Sequence, residues 1–117
     1  QHTTSVQNAF FQYLLGNTDF SVAYQHNGKL LYVKKEIIPL PYDFDMTGWV
    51  NPSYATVNST LGIQSVQDRV YRGFKREQQY FDAVRAEFIE KKTSLLDLLP
   101  SNRSFQTQKN SKICLSL

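Results

Sequence analysis

The sequence predicts an α+β fold, mostly helical, with one short β-hairpin. Apolar residues recur at helical spacing from Val6 to Leu15 and again over Glu77–Leu99. Between these stretches lie two short β-like runs, Lys29–Lys34 and Glu36–Leu40. Hydrophobic residues make up 41% of the 117-residue chain and charged residues 20%, a balance that suits one small folded domain rather than disorder.

Taken in order, Thr3, Thr4 or Ser5 can cap a helix that starts near Val6. Val6, Ala9, Phe10, Tyr13 and Leu14 form its apolar stripe, and Gly16-Asn17 is a C-terminal stop. Leu30, Leu31, Val33, Ile37 and Ile38 supply the apolar content of the two strands, and Lys34-Lys35-Glu36 reads as the charged turn between them. Pro39 and Pro41 argue against a long central strand, because proline lacks the ladder donor. Met46–Thr60 reads as an irregular loop, held to the body by Trp49, Val50, Tyr54 and Val57. Ser65 can cap a short helix through Val66, Val70 and Tyr71. Tyr80, Phe81, Val84, Phe88, Leu95 and Leu98 mark one long amphipathic helix, stopped at Pro100. Residues 1–99 therefore form the domain, and 100–117 are expected to be a flexible polar tail.

Several function classes are excluded at this stage. The net charge of +3 comes from Arg103, Lys109 and Lys112, so the body before them is neutral and offers no basic stripe for nucleic acid. No apolar run is long enough to span a membrane. Cys114 is the only cysteine, which leaves no intrachain disulfide and no thiolate zinc site. No Walker loop, G-x-S-x-G or H-E-x-x-H pattern occurs.

The chemistry concentrates between Leu14 and Gly48. A hairpin there brings the loop before its first strand near the residues after its second. Asp19, Asn27 and Asp43 can then converge, offering hard oxygen ligands for Mg²⁺ and one base. Asp45 adds a further carboxylate next to Asp43. In an extended segment both acids point one way and Phe44 the other. Each residue also has a plain reading. Asp19 can be a turn residue in N-T-D-F-S, Asn27-Gly28 is a turn signal, and Asp43-Phe44-Asp45 can be an acidic turn. Arg69, Arg72, Lys75 and Arg76 can bind phosphate or pair with Asp68 and Glu77. The Met46–Thr60 loop can hold substrate or be a structural Ω-like loop.

Leu15-Gly16-Asn17-Thr18-Asp19 resembles the "IGNTD" loop of HipA-type kinases, and Pro41-Tyr42-Asp43 resembles their "PAYD" segment. The stretch continuing through "PYDFDMTGWVNPSYA" and "SVQDRVYRGF" is similar to an uncharacterised family of exported bacterial proteins, distantly like HipA-type and CotH-type kinases. The resemblance covers about residues 6 to 98. It implies a C-lobe-like part of a protein-kinase-like fold, an exported or periplasmic setting, and Mg²⁺ and ATP as cofactors. By it, Asp19 would orient the acceptor hydroxyl. Asn27, Asp43 and Asp45 would hold the metal, and Asn17 and His26 would support the loop.

The pattern also departs from ordinary kinases. Asn27 follows Asp19 by 8 residues, where the usual spacing is about five. Asp45 stands where D-F-G has glycine. No glycine-rich loop or phosphate-binding lysine precedes Gln1, so the chain is expected to be the C-terminal part of a longer protein, inactive without its N-terminal lobe. The alternatives are a non-catalytic, pseudokinase-like interaction domain and a small acidic-loop cation-binding module.

Overall fold

The computed structural model describes residues 2–98. Its elements run α1 (His2–Leu15), β1 (Gly28–Val33), β2 (Glu36–Pro41), a 3₁₀ turn (Ser59–Leu61), α2 (Gln78–Glu90) and α3 (Lys92–Asp97). The fold is α+β, with α1 packed against both β2 and α2. The tail from residue 100, with Pro100 and Cys114, lies outside the described residues.

α1 starts at His2, ahead of the caps that Thr3–Ser5 suggest. Thr4 is inside the helix, and its hydroxyl donates to the Ile37 carbonyl at 3.3 Å, tying α1 to β2. The buried face of α1 is Val6, Asn8, Ala9 and Gln12, so two amides share it with two small apolar side chains. The larger Phe10, Tyr13 and Leu14 are half-buried beside it. Phe10 meets the Phe88 ring of α2 at 5.0 Å, and Gln7 donates to the Glu87 carboxylate at 2.7 Å.

β1 and β2 pair antiparallel, with Val33 opposite Glu36 and Gly28 opposite Pro41. The turn is therefore Lys34-Lys35, and Glu36 belongs to the strand. Both lysines have positive φ, 53° and 121°, as a type I′ turn requires. β2 is the short, non-central strand expected, extended by one residue to Pro41, and the register explains how it runs through both prolines. Tyr42 N–H donates to Asn27 O at 3.1 Å, so the hydrogen-bonded pairs alternate from there through Leu40, Ile38 and Glu36. Pro39 and Pro41 fall on the outward-facing positions, where the ladder asks for no donor.

The single C-terminal helix expected over Glu77–Leu99 is divided at Lys91, whose ψ of 0° distorts the turn while staying in the right-handed region. Its amide keeps the helical bond to the Glu87 carbonyl, at 3.1 Å. Packing accounts for where support ends. Val84 is fully buried between the helices, whereas Leu95 and Leu98, beyond the break, are 44% and 67% exposed. The helix expected after Ser65 does not form. Asp68 Oδ2 accepts from the amides of Gln64 and Ser65, and Ser65 Oγ from that of Gln67, so side chains close a turn in place of a helical ladder. The 46–60 loop is irregular as expected, but Val50, Tyr54 and Val57 are exposed and do not anchor it.

The fully buried apolar side chains among the described residues are Val6, Ala9, Phe20 and Val84, joined by the polar Asn8, Gln12, Asn17 and Thr47. No helix among the described residues is long and apolar enough to cross a membrane. Lys35 sits where glycine is at ease. The left-handed strain of roughly 1–3 kcal/mol exceeds the ~0.5–1 kcal/mol of chain entropy that glycine brings. Lys35→Gly should therefore raise stability by about 1 kcal/mol, read as a higher urea midpoint with an unchanged slope.

Candidate functional site

The site grows from the C-terminal end of α1. Gly16 (φ 65°) reverses the chain, with Asn17 N–H donating to Gln12 O at 2.9 Å and Gly16 N–H to Tyr13 O at 3.1 Å. This is a Schellman closure, and only glycine enters the left-handed region without steric cost. Asn17 is then buried, 1% exposed, and its amide donates to Gln12 Oε1 at 2.6 Å. Its own oxygen accepts the Asp19 backbone N–H at 3.0 Å. Asn17 thus bonds directly to the Asp19 loop.

Asp19 is held on both carboxylate oxygens. His26 Nε2 lies 2.9 Å from Oδ1, and Asn27 Nδ2 donates to Oδ2 at 3.0 Å and to the Asp19 carbonyl at 2.8 Å. A backbone pair closes the intervening loop, Ser21 N–H to His26 O at 3.0 Å and His26 N–H to Ser21 O at 2.9 Å. The eight-residue interval therefore carries its own small turn and still returns Asn27 to Asp19. Asn27 has φ 50°, so it is at once a turn residue and the partner of Asp19. Because its NH₂ is used by Asp19, its amide oxygen is left to face other ligands.

The hairpin brings the second half of the site back. Tyr42 bonds to Asn27 through the ladder, which puts Asp43 immediately after the residue beside Asn27. Asp43 has φ 61°, so Asp43-Phe44-Asp45 is not extended, contrary to the sequence expectation. The outcome for the side chains is nonetheless the expected one: Phe44 packs edge-on to Phe11 at 5.9 Å while both acids are exposed. Asp43 is raised above its ordinary 3.8, first by its hydrogen bond with Asp45 and then by the Asp45 charge. The Asp19 charge raises it further and His26 opposes this, so residues 19, 26, 43 and 45 share one electrostatic neighbourhood.

Three contributors escape sequence reasoning. Tyr54, expected to pack inward, is 61% exposed and donates its hydroxyl to Asp45 Oδ2 at 3.1 Å. That bond raises the Tyr54 pKa, because ionising the phenol would break it. Arg72 donates its guanidinium to the carbonyls of Thr18 and Phe20, on either side of Asp19, and lies over the Phe20 ring at 5.8 Å. Arg69 and Arg76 lie over Tyr13 and Phe74. The basic cluster therefore stacks on aromatic faces and braces the loop. No ion pair joins Arg72, Lys75 or Arg76 to Asp68 or Glu77 among the described residues. Gln12 could have been noticed as a polar residue on an apolar helix face; Tyr54 and Arg72 carry no local signal.

Among the described residues no group of three His, Cys, Asp or Glu is placed to surround a cation. Mg²⁺ asks for less, one or two carboxylates with water and phosphate oxygens completing the octahedron, and Asp43 with the Asn27 amide oxygen can supply that share. Comparison with known protein families, curated proteins and solved structures returned no match to this chain.

Removing the amide in Asn17→Ala strands the buried Gln12 oxygen and frees the Asp19 loop. The expected cost is roughly 1–3 kcal/mol, with faster exchange of the Asp19 amide. A raised carboxyl pKa means that the folded state binds the Asp43 proton more tightly. Its stabilisation is present below the unfolded value of 3.8 and is lost as pH rises through the folded value. Asp45→Asn should bring the Asp43 pKa down toward the ordinary value in a carboxyl-carbon NMR titration and flatten that acid-side gain.

Proposed function

We propose that this chain is the hydroxyl- and metal-binding lobe of a phosphotransferase that uses ATP and Mg²⁺. It would be kinase-like in the manner of the HipA-type and CotH-type enzymes and completed by a nucleotide-holding N-terminal lobe outside this sequence. The reading is supported by the continuous run of bonds Asp19–Asn27–Tyr42, together with the electrostatic influence of Asp19 on Asp43 at its far end. Positioning and charge neutralisation provide most of the rate in phosphoryl transfer, and a preformed acidic frame serves both. Asp19 orients the acceptor hydroxyl, with His26 and Asn27 holding its carboxylate in one rotamer. Asp43 and the Asn27 amide oxygen take the metal, and Asp45, anchored by Tyr54, stands in reach as a further ligand. Bound Mg²⁺ would neutralise the charge on the transferring phosphate. It would also relieve the repulsion that raises Asp43.

A second reading, a non-catalytic interaction domain, draws on the exposed apolar side chains Tyr24, Tyr32, Tyr54 and Phe74. The two part ways on metal. Titrating the chain with Mn²⁺ should selectively broaden the NMR signals of Asp19, Asn27 and Asp43, Asp43→Ala should remove the effect, and in the full-length parent ATP should strengthen it. Broadening that ignores ATP points to a cation module. No broadening under either condition favours the interaction domain and ends the phosphotransferase reading.

A further inference from the structure

We infer that the outer edge of β1 receives an added β-strand from a partner protein, an extended segment apolar in its middle and acidic at its ends. The inference is independent of phosphoryl transfer and rests on the asymmetry of the hairpin. β2 is closed on its outer side. Pro39 and Pro41 present no N–H there, and the Ile37 carbonyl already accepts from Thr4 at 3.3 Å. β1 has the opposite character. The register turns the backbone groups of Gly28, Leu30 and Tyr32 outward, no proline interrupts them, and no further strand pairs with them among the described residues. Unpaired strand edges recruit other strands unless something blocks them.

Side chains indicate what kind of strand fits. Leu31 and Val33 on one face of β1 are 43% and 39% exposed, and Tyr32 on the other is 71% exposed. Apolar cross-strand neighbours would cover them. Lys29 stands at one end of this run and Lys34 and Lys35 at the other, and none of them has an acidic partner among the described residues. A second copy of the chain fits poorly. Antiparallel pairing of β1 with itself sets Lys29 against the Lys34-Lys35 end of its mate, and parallel pairing sets Lys29 beside Lys29. Like charges opposite one another destabilise a sheet. Acidic flanks on a different chain turn the same lysines into attraction.

The probe is a short peptide with a valine- and threonine-rich centre and glutamates at both ends, titrated into the ¹⁵N-labelled chain. Shifts and slowed exchange are expected at the amides of Gly28, Leu30 and Tyr32. Replacing the peptide's glutamates with lysines should weaken binding at least tenfold, and Lys29→Glu should weaken the glutamate peptide several-fold. Tyr32→Pro removes an outward N–H without touching the ladder, so it should abolish binding while the Tyr42 amide keeps its protection. The inference is overturned if those amides do not respond. It is equally overturned if the lysine-ended peptide binds as well, or if sedimentation shows that the edge is taken by a second copy.

Discussion

The C-terminal end of α1 is the constraint on which the rest of the structure depends. A helix end leaves carbonyls without partners, and here one distant segment supplies two of them. Gly48 N–H donates to Gly16 O and Trp49 N–H to Leu15 O, each at 3.0 Å. The same turn buries Asn17, whose side chain fixes Asp19. One helix end therefore positions the loop of the first acid and the segment following the second. The tolerance is narrow on the receiving side: a Cβ on Gly48 would stand 2.4 Å from the Val66 carbonyl oxygen. Thr47, 1% exposed, completes the joint by donating to Phe44 O and accepting from Val50 N–H.

The joint is polar, and that sets the character of the core. Gln12, Asn17 and Thr47 occupy volume that a larger domain would fill with aliphatic side chains. Buried amides and hydroxyls are costly unless bonded, and bonded geometry is directional. The interior therefore specifies an arrangement more than it supplies apolar burial. Aromatic rings do much of the remaining packing. Phe10 on Phe88, Phe11 on Phe44 and Tyr71 on Phe81 join segments far apart in the chain, and Arg69, Arg72 and Arg76 lie across ring faces at the periphery. Much apolar surface is left outside, on the hairpin and beyond Lys91.

Within the acidic site, the two carboxylate groups are treated differently. Asp19 is bonded on both carboxylate oxygens, to His26 and Asn27, which limits its motion. Asp43 and Asp45 face each other with Tyr54 as the bonded neighbour of Asp45, so adding charge to Asp43 is opposed. The arrangement costs stability at neutral pH, which the helix-end joint and the ring contacts must offset.

By itself the sequence determined the α+β class, the hairpin to within a residue at each end and the stop at Gly16-Asn17. These follow from local rules: hydrophobic period, turn chemistry and the geometry of a hairpin that returns to its start. Tertiary structure alone decided that Pro39 and Pro41 lie on outward positions, that the C-terminal helix breaks at Lys91, and that Ser65 and Asp68 close a turn in place of a helix. It also decided that Arg72 braces the Asp19 loop and that Tyr54 reaches Asp45. Each of those outcomes depends on strand register or on a neighbour distant in sequence. Side-chain bonding and burial across such distances leave no periodic trace in the order of residues.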